Sequence, residues 1–120
     1  MGYFEATWVL GVECTPSNDI LENLLDGEEI TYCCQSIRDT AAFTNLRFIY
    51  CDSQGITGTK KEIYSIPYRS INIFSSENAG MIDLTSEIEI WLKDGHIKIH
   101  LNRQADVRYI GKLLAFYITQ

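Results

Sequence analysis

A chain of 120 residues, of which 46% are hydrophobic, 12% aromatic and 22% charged, can bury one packed core and is too short for two; its composition lies far from that of disordered segments. A formal net charge of -6 and an isoelectric point near 4.8 set most of the surface against phosphate, which excludes nucleic acid as the expected partner. The four cysteines, Cys14, Cys33, Cys34 and Cys51, contain no Cys-x-x-Cys pair and read as reduced thiols of a cytoplasmic protein, not as a disulfide framework.

In chain order, residues 1–14 carry Glu5 and Glu13 without a basic start, so no secretory leader is expected, and the role of this segment is open. Ala6 stands where a myristoylation motif requires Ser or Thr, and no apolar run approaches the roughly 20 residues that cross a bilayer. The domain itself is placed at residues 15–120. Thr15-Pro16 reads as an N-cap and first helical position, Ile20, Leu21, Leu24 and Leu25 recur at helical spacing, and Gly27 suits a left-handed C-terminal cap, so the pattern predicts a short helix from Thr15 to Asp26.

From Ile30 to Tyr50, β-branched and aromatic residues predict two strands joined near Asp39-Thr40. Asp52-Ser53-Gln54-Gly55 predicts a tight turn and Gly58 a second change of direction. A strand from Ile63 to Ile66 is expected to end at Pro67, which has no backbone donor, and a further strand spans Ile71 to Phe74, followed by a loop at Asn78-Ala79-Gly80. Asp94-Gly95 is the preferred pair for a type I′ hairpin. With Lys93 opposite His96, Leu92 meets Ile97, Ile90 meets Ile99 and Ile88 meets Leu101 on a buried face, while Trp91 faces Lys98 and Glu89 faces His100 on the other. Val107, Ile110, Leu113, Leu114, Tyr117 and Ile118 form the stripe of a C-terminal helix, with Asp106 at its positive end.

Little in this order of residues carries chemistry. His96 and His100 on a strand stand about 13 Å apart and cannot share a metal. Cys33 and Cys34 point to opposite faces of their strand, and at least one belongs to the core. Glu28-Glu29 and the alternating Glu87 and Glu89 read as solvated carboxylates, and Gly55 and Gly58 with Lys60 do not make a phosphate loop. No catalytic residue, metal or cofactor is therefore assigned. Lys60, Lys61 and Arg69 form the one local positive cluster, suited to an anionic headgroup but short of the roughly four cations of a polybasic patch. Arg38 and Arg47 are further candidate ligand contacts, since a guanidinium forms bidentate pairs.

Ile37-Arg38-Asp39, Phe43-Thr44-Asn45-Leu46-Arg47, Asp52-Ser53-Gln54-Gly55-Ile56-Thr57-Gly58, Ser65-Ile66-Pro67-Tyr68, Glu77-Asn78-Ala79-Gly80, Asp83-Leu84 and Glu87-Ile88 follow one another as in bacterial pleckstrin-homology-like domains, which the chain resembles from Leu24 to Ile118. The resemblance implies a mainly β (α+β) fold: a strongly bent antiparallel sheet of about seven strands, forming a partly open barrel or two near-orthogonal sheets, capped by a C-terminal helix and preceded by a short helix. It also implies a tendency to form symmetric rings through exposed strand edges. Eukaryotic pleckstrin-homology domains often bind phosphoinositides through basic residues of the first hairpin, but the corresponding stretch from Glu29 to Arg47 holds only Arg38 and Arg47. The expected function is a non-catalytic binding or scaffolding domain that forms a homo-oligomer and meets a protein partner, with Trp91 as an exposed anchor. The alternative is a peripheral module gripping anionic membrane lipid through Lys60, Lys61 and Arg69.

Overall fold

Apolar residues fall at consecutive positions in Tyr32-Cys33-Cys34, Ala41-Ala42-Phe43 and Phe48-Ile49-Tyr50-Cys51, a pattern that suits strands covered on both faces. The computed structural model describes residues 2–54, 60–77, 85–102 and 104–120. It places those runs in β3 (Ile30–Gln35), β4 (Thr40–Thr44) and β5 (Arg47–Gln54), the middle of an antiparallel sheet bounded by β2 (Val12–Glu13) and β6 (Lys60–Pro67). A second sheet has the order β1-β9-β8-β7, built from β1 (Phe4–Leu10), β7 (Ile71–Glu77), β8 (Thr85–Leu92) and β9 (Gly95–Asn102). A single 3₁₀ turn, Tyr68–Ser70, joins the sheets after Pro67, and two helices, α1 (Asn18–Leu21) and α2 (Val107–Ile118), complete the chain.

The main core lies between the sheets. Phe43, Phe48 and Tyr50 of one meet Trp8, Ile88, Ile90, Ile97, Ile99 and Leu101 of the other, and α2 covers the open end with Ile110 and Leu114. Trp8 stacks on Tyr50 with ring centroids 4.0 Å apart and planes 7° from parallel. On the far side of the five-stranded sheet a smaller cluster of Ile20, Cys33, Ala42, Ile49 and Cys51 is covered by α1. Cys33 and Cys34 therefore enter different cores, and both are buried.

The chain is mainly β, with the C-terminal helix and the bent pair of sheets that the resemblance implies, but the sheets do not close into a barrel. Nine strands stand among the described residues instead of about seven, because residues 4–13 supply one strand to each sheet. β1 pairs with β9 in parallel, the one parallel ladder among the described residues. The helix predicted from Thr15 to Asp26 contracts to α1. Its cap is Ser17, whose Oγ accepts from Ile20 N at 3.3 Å, and the Leu25 N–H goes to the Glu28 carboxylate at 3.0 Å instead of continuing the helix. Gly27 does adopt the left-handed conformation, with φ of 80°.

The stretch read as two strands is three. Asn45-Leu46 makes an additional turn without Gly or Pro, held by Thr44 Oγ1, which accepts from the N–H groups of Leu46 and Arg47, each at 3.0 Å. Asp52 to Gln54 continue β5, so no turn begins there; the expected turn glycines Gly55 and Gly58, and the loop at Asn78-Ala79-Gly80, lie outside the described residues. β6 starts earlier than expected and ends at Pro67, as its missing donor requires.

The hairpin register also differs. Leu92 pairs with Gly95, Trp91 with His96, Ile90 with Ile97, Glu89 with Lys98, Ile88 with Ile99 and Glu87 with His100, so the two-residue turn is Lys93-Asp94. The shift spans two residues and keeps every apolar side chain on its predicted face. Gly95 has no positive φ, so its service is to close approach. β1 runs beside it, Phe4 N donates to Asp94 O at 2.8 Å, and a Cβ on residue 95 would lie 3.0 Å from Phe4 O and 3.2 Å from Phe4 Cβ. Trp91 is half-buried, 5.1 Å from the His96 ring, and faces no lysine.

Substitution at this position distinguishes the two uses of glycine. Gly95→Ala is expected to destabilise by about 1–3 kcal/mol through overpacking. Gly95→Asn, which a type I′ turn tolerates, should be at least as damaging because the larger side chain meets Phe4. Thermal unfolding of both variants checks this, and a clearly milder Asn variant would restore the turn explanation.

Candidate functional site

At Gly11 the N-terminal strand passes from one sheet to the other. Its N–H donates to Gln35 O at 2.9 Å, and a Cβ here would stand 2.8 Å from Asn102 Nδ2 and 3.0 Å from Gln35 O, so any larger residue would force both neighbours to shift. Beside the corner lies an open groove of about 540 Å³, lined by Val9, Gly11, Val12, the β3–β4 loop from Gln35 to Asp39, Asn102 and Gln104.

The loop on its rim is firmly tied. Ser36 N donates to Asp39 O at 2.9 Å and Asp39 N to Ser36 Oγ at 3.1 Å. The Asp39 carboxylate accepts from Tyr50 OH at 2.6 Å and from Ser53 N at 3.0 Å, while Arg38 Nη2 donates to Ser53 O at 2.9 Å. Burial and the Asp39 carboxylate push the Tyr50 phenol well above the usual tyrosine range, so it stays a proton donor. Four residues locked in this way nevertheless leave Ile37 with 102% relative exposure, beside Val9 at 51% and Val12 at 40%. Single exposed apolar side chains are ordinary, but here three border one groove, Ile37 on the constrained loop and Val9 and Val12 on the strands beside it. One sign is legible in the sequence, a β-branched residue inside the polar turn Ser36-Ile37-Arg38-Asp39; Val9 and Val12 give none, because nothing in residues 1–14 announces the strands β1 and β2 on which they lie.

The five candidate cations do not converge. Lys60 and Lys61 begin β6 and Arg69 lies past its far end, so roughly 23 Å of strand separates them. Lys61 is bound to the Asp19 carboxylate of α1. Arg38 spans the β3–β4 loop and β5. Arg69 and Arg47 share a hollow of about 400 Å³ with Leu25, Leu46, Pro67, Tyr68 and Tyr117.

Arg47 is committed to the fold. Its Nε and Nη2 donate to the two Glu28 oxygens, each at 2.9 Å, Nη2 also to Asn23 O at 2.6 Å and Nη1 to Ser65 Oγ at 2.7 Å. The Glu28 side chain has no solvent exposure and accepts in addition from Thr44 Oγ1 at 2.6 Å and Leu25 N. Hydrogen bonds from Arg47 above all, with those of Thr44 and Leu25, hold its carboxyl down at about 2 against the opposing effect of burial.

His96 Nε2 lies 3.1 Å from Glu89 Oε1 and His100 Nδ1 3.3 Å from Glu87 Oε1, in place of the expected His100–Glu89 pair. Burial pushes the Cys33 thiol up to about 12 and the Cys34 thiol higher still, away from thiolate chemistry. No helix among the described residues is long and apolar enough to cross a membrane.

Two sheets bent around a core, with a helix across one end, define the pleckstrin-homology-like class. The Bacterial PH domain model matches residues 13–118, and this chain belongs to that family. It is 47% identical over 74 residues to the uncharacterized protein YjqA of Bacillus subtilis (strain 168), covering 62% of this chain and 59% of YjqA, so the match spans well under two thirds of that relative. Among crystal structures, it superposes with a TM-score of 0.80 and 32% identity on a DUF1696 family protein with a pleckstrin-homology domain from Shewanella loihica PV-4, covering 89% of this chain and 96% of that one. A pleckstrin homology domain from Shewanella amazonensis SB2B gives a TM-score of 0.68 at 35% identity, covering 83% and 82%.

The Glu28–Arg47 pair yields a prediction with a definite sign. Arg47→Ala is expected to cost roughly 3–5 kcal/mol at neutral pH, because it strands a buried carboxylate, and Arg47→Lys should recover only part of it. Because the folded-state pKa of Glu28 is depressed, its contribution in the native protein is fully present above pH 4.5 and is lost as pH falls towards 2. Denaturant titrations across that range check both statements; a loss below about 1 kcal/mol in Arg47→Ala would show the pair to be a surface interaction.

Proposed function

We propose that this domain is a non-catalytic binding and scaffolding module that assembles with copies of itself through the corner groove and the strand edges beside it, presenting the assembled surface to a protein partner in the cytoplasm. The observation that carries the reading is Ile37, fully exposed on a loop fixed by Asp39, Arg38 and Ser36, next to the exposed Val9 and Val12. A rigid apolar contact loses little conformational entropy on docking, which suits an interface anchor.

Edge geometry supports the same reading. β1 and β2 border the groove and are edge strands of their respective sheets among the described residues, so backbone donors and acceptors lie beside the apolar rim. The ring-forming tendency implied by the family resemblance is in keeping with this. Lipid binding has less support, because Lys60 and Lys61 are far from Arg69 and one of them is engaged by Asp19.

Charge gives the two readings opposite salt dependences. Copies of a chain with net charge -6 repel, so self-association through apolar contacts strengthens as salt screens them, whereas headgroup binding weakens. Light scattering across concentration and salt is expected to give multiples of 13.7 kDa for the native chain and 13.7 kDa for Ile37→Asp, with unchanged thermal stability in the variant. A native chain that stays at 13.7 kDa throughout overturns the assembly reading. Salt-sensitive capture on vesicles of phosphatidylserine in that case would favour the lipid module.

A further inference from the structure

The small cluster beneath α1 contains a pair of thiols that the proposed function does not use. Cys14 continues the register of β2: Val12 faces Gln35 and Glu13 faces Cys34, so Cys14 faces Cys33, and its N–H donates to Cys33 O at 3.0 Å. Both side chains emerge on the α1 side of the sheet, beside Ile20, Ala42 and Ile49, and their sulfur atoms lie 3.5 Å apart. Residues directly opposed at a hydrogen-bonded site have Cα atoms about 5.5 Å apart, inside the range of about 4.4–6.8 Å that a disulfide requires. A side-chain adjustment of roughly 1.5 Å then brings the sulfurs to bonding distance. Cys34 cannot compete, since it points into the main core on the opposite face.

We propose that Cys14 and Cys33 form an oxidation site that a hydroperoxide converts to an intramolecular disulfide between β2 and β3. Cys14 is half-exposed and reacts first. Its thiolate attacks the peroxide oxygen, the O–O bond breaks, the departing alkoxide or hydroxide takes a proton, and Cys14 becomes a sulfenic acid. The Cys33 sulfur then attacks the Cys14 sulfur, the S–O bond breaks, and the leaving hydroxide takes the Cys33 proton as water. Two thiols lose two electrons and the peroxide gains them. Cys33 is buried where Cys14 is half-exposed, which makes Cys33 the resolving partner; burial also pushes its thiol up to about 12, in keeping with that order.

The bond closes a loop spanning a separation of 19 residues that contains α1 and Gly27, and it pins the strand bearing Val12 at the groove wall. Restricting the unfolded chain in this way is expected to raise Tm by on the order of 10 °C.

The experiment treats the full native chain with hydrogen peroxide under non-denaturing conditions and follows it by mass spectrometry and thiol titration. The expected result is a loss of about 2 Da per chain, two of the four thiols withdrawn, a Cys14–Cys33 cross-linked peptide, the higher Tm, and reversal of all four by dithiothreitol. Cys14→Ser should show neither the mass loss nor the shift in Tm on treatment. Oxygen addition at Cys14 without a cross-link, a bond between two chains, or a cross-link through Cys34 or Cys51 would each overturn the proposal. Mapping the native chain requires no variant to fold, and its outcome is independent of the assembly state measured by light scattering.

Discussion

A carboxylate sealed from solvent organises one end of this molecule. Glu28 accepts from Arg47, Thr44 and the Leu25 backbone, and Arg47 reaches on to Asn23 and to Ser65 of β6. The carbonyl of the same Thr44 accepts from Tyr68 OH at 2.7 Å, and the Tyr68 ring stacks on Tyr117 of α2 at 4.7 Å. One ion pair thus connects the segment after α1, the β4–β5 turn, the end of β6, the sheet-to-sheet turn and the capping helix. An isolated buried charge would cost several kcal/mol, so the folded state depends on these partners being in place.

The opposite corner is arranged on the same principle with a different outcome. There the Asp39 carboxylate and Arg38 fasten a short loop to β5, but the apolar residue at its tip is left outside. Fixing a loop around a buried side chain stabilises a fold; fixing it around the exposed Ile37 is what the proposed assembly contact would use. Trp8 joins this corner to the core, since it stacks on Tyr50, whose OH bonds to Asp39. The thiol pair of Cys14 and Cys33 lies on the other face of the same sheet, where β2 adds its few hydrogen bonds to β3.

Local reading succeeded where one physical term decides. Helical spacing of Val107, Ile110 and Leu114 gave α2, and alternation in β8 and β9 gave the faces of the hairpin, because burial of one face overrides everything else. It failed where two terms compete. Asp94-Gly95 is a good turn, but the approach of Phe4 from β1, some ninety residues earlier in the chain, reserves Gly95 for a crowded strand position. Leu24 and Leu25 fit a helix, but Glu28 draws the Leu25 N–H aside. Thr44-Asn45-Leu46-Arg47 has no punctuating Gly or Pro, and its turn forms through a threonine hydroxyl that also serves Glu28.

By itself the sequence determined the class of fold, the amphipathic C-terminal helix, the buried faces of the strands and the family resemblance, because each depends on residue type and short-range periodicity. The tertiary structure decided which edges pair, how far apart the basic residues stand, that Arg47 is bound to Glu28 while Ile37 is left to solvent, and that Cys14 meets Cys33. Those outcomes depend on contacts between residues distant along the chain, where a parallel β1–β9 ladder or a buried carboxylate has no local periodicity to announce it.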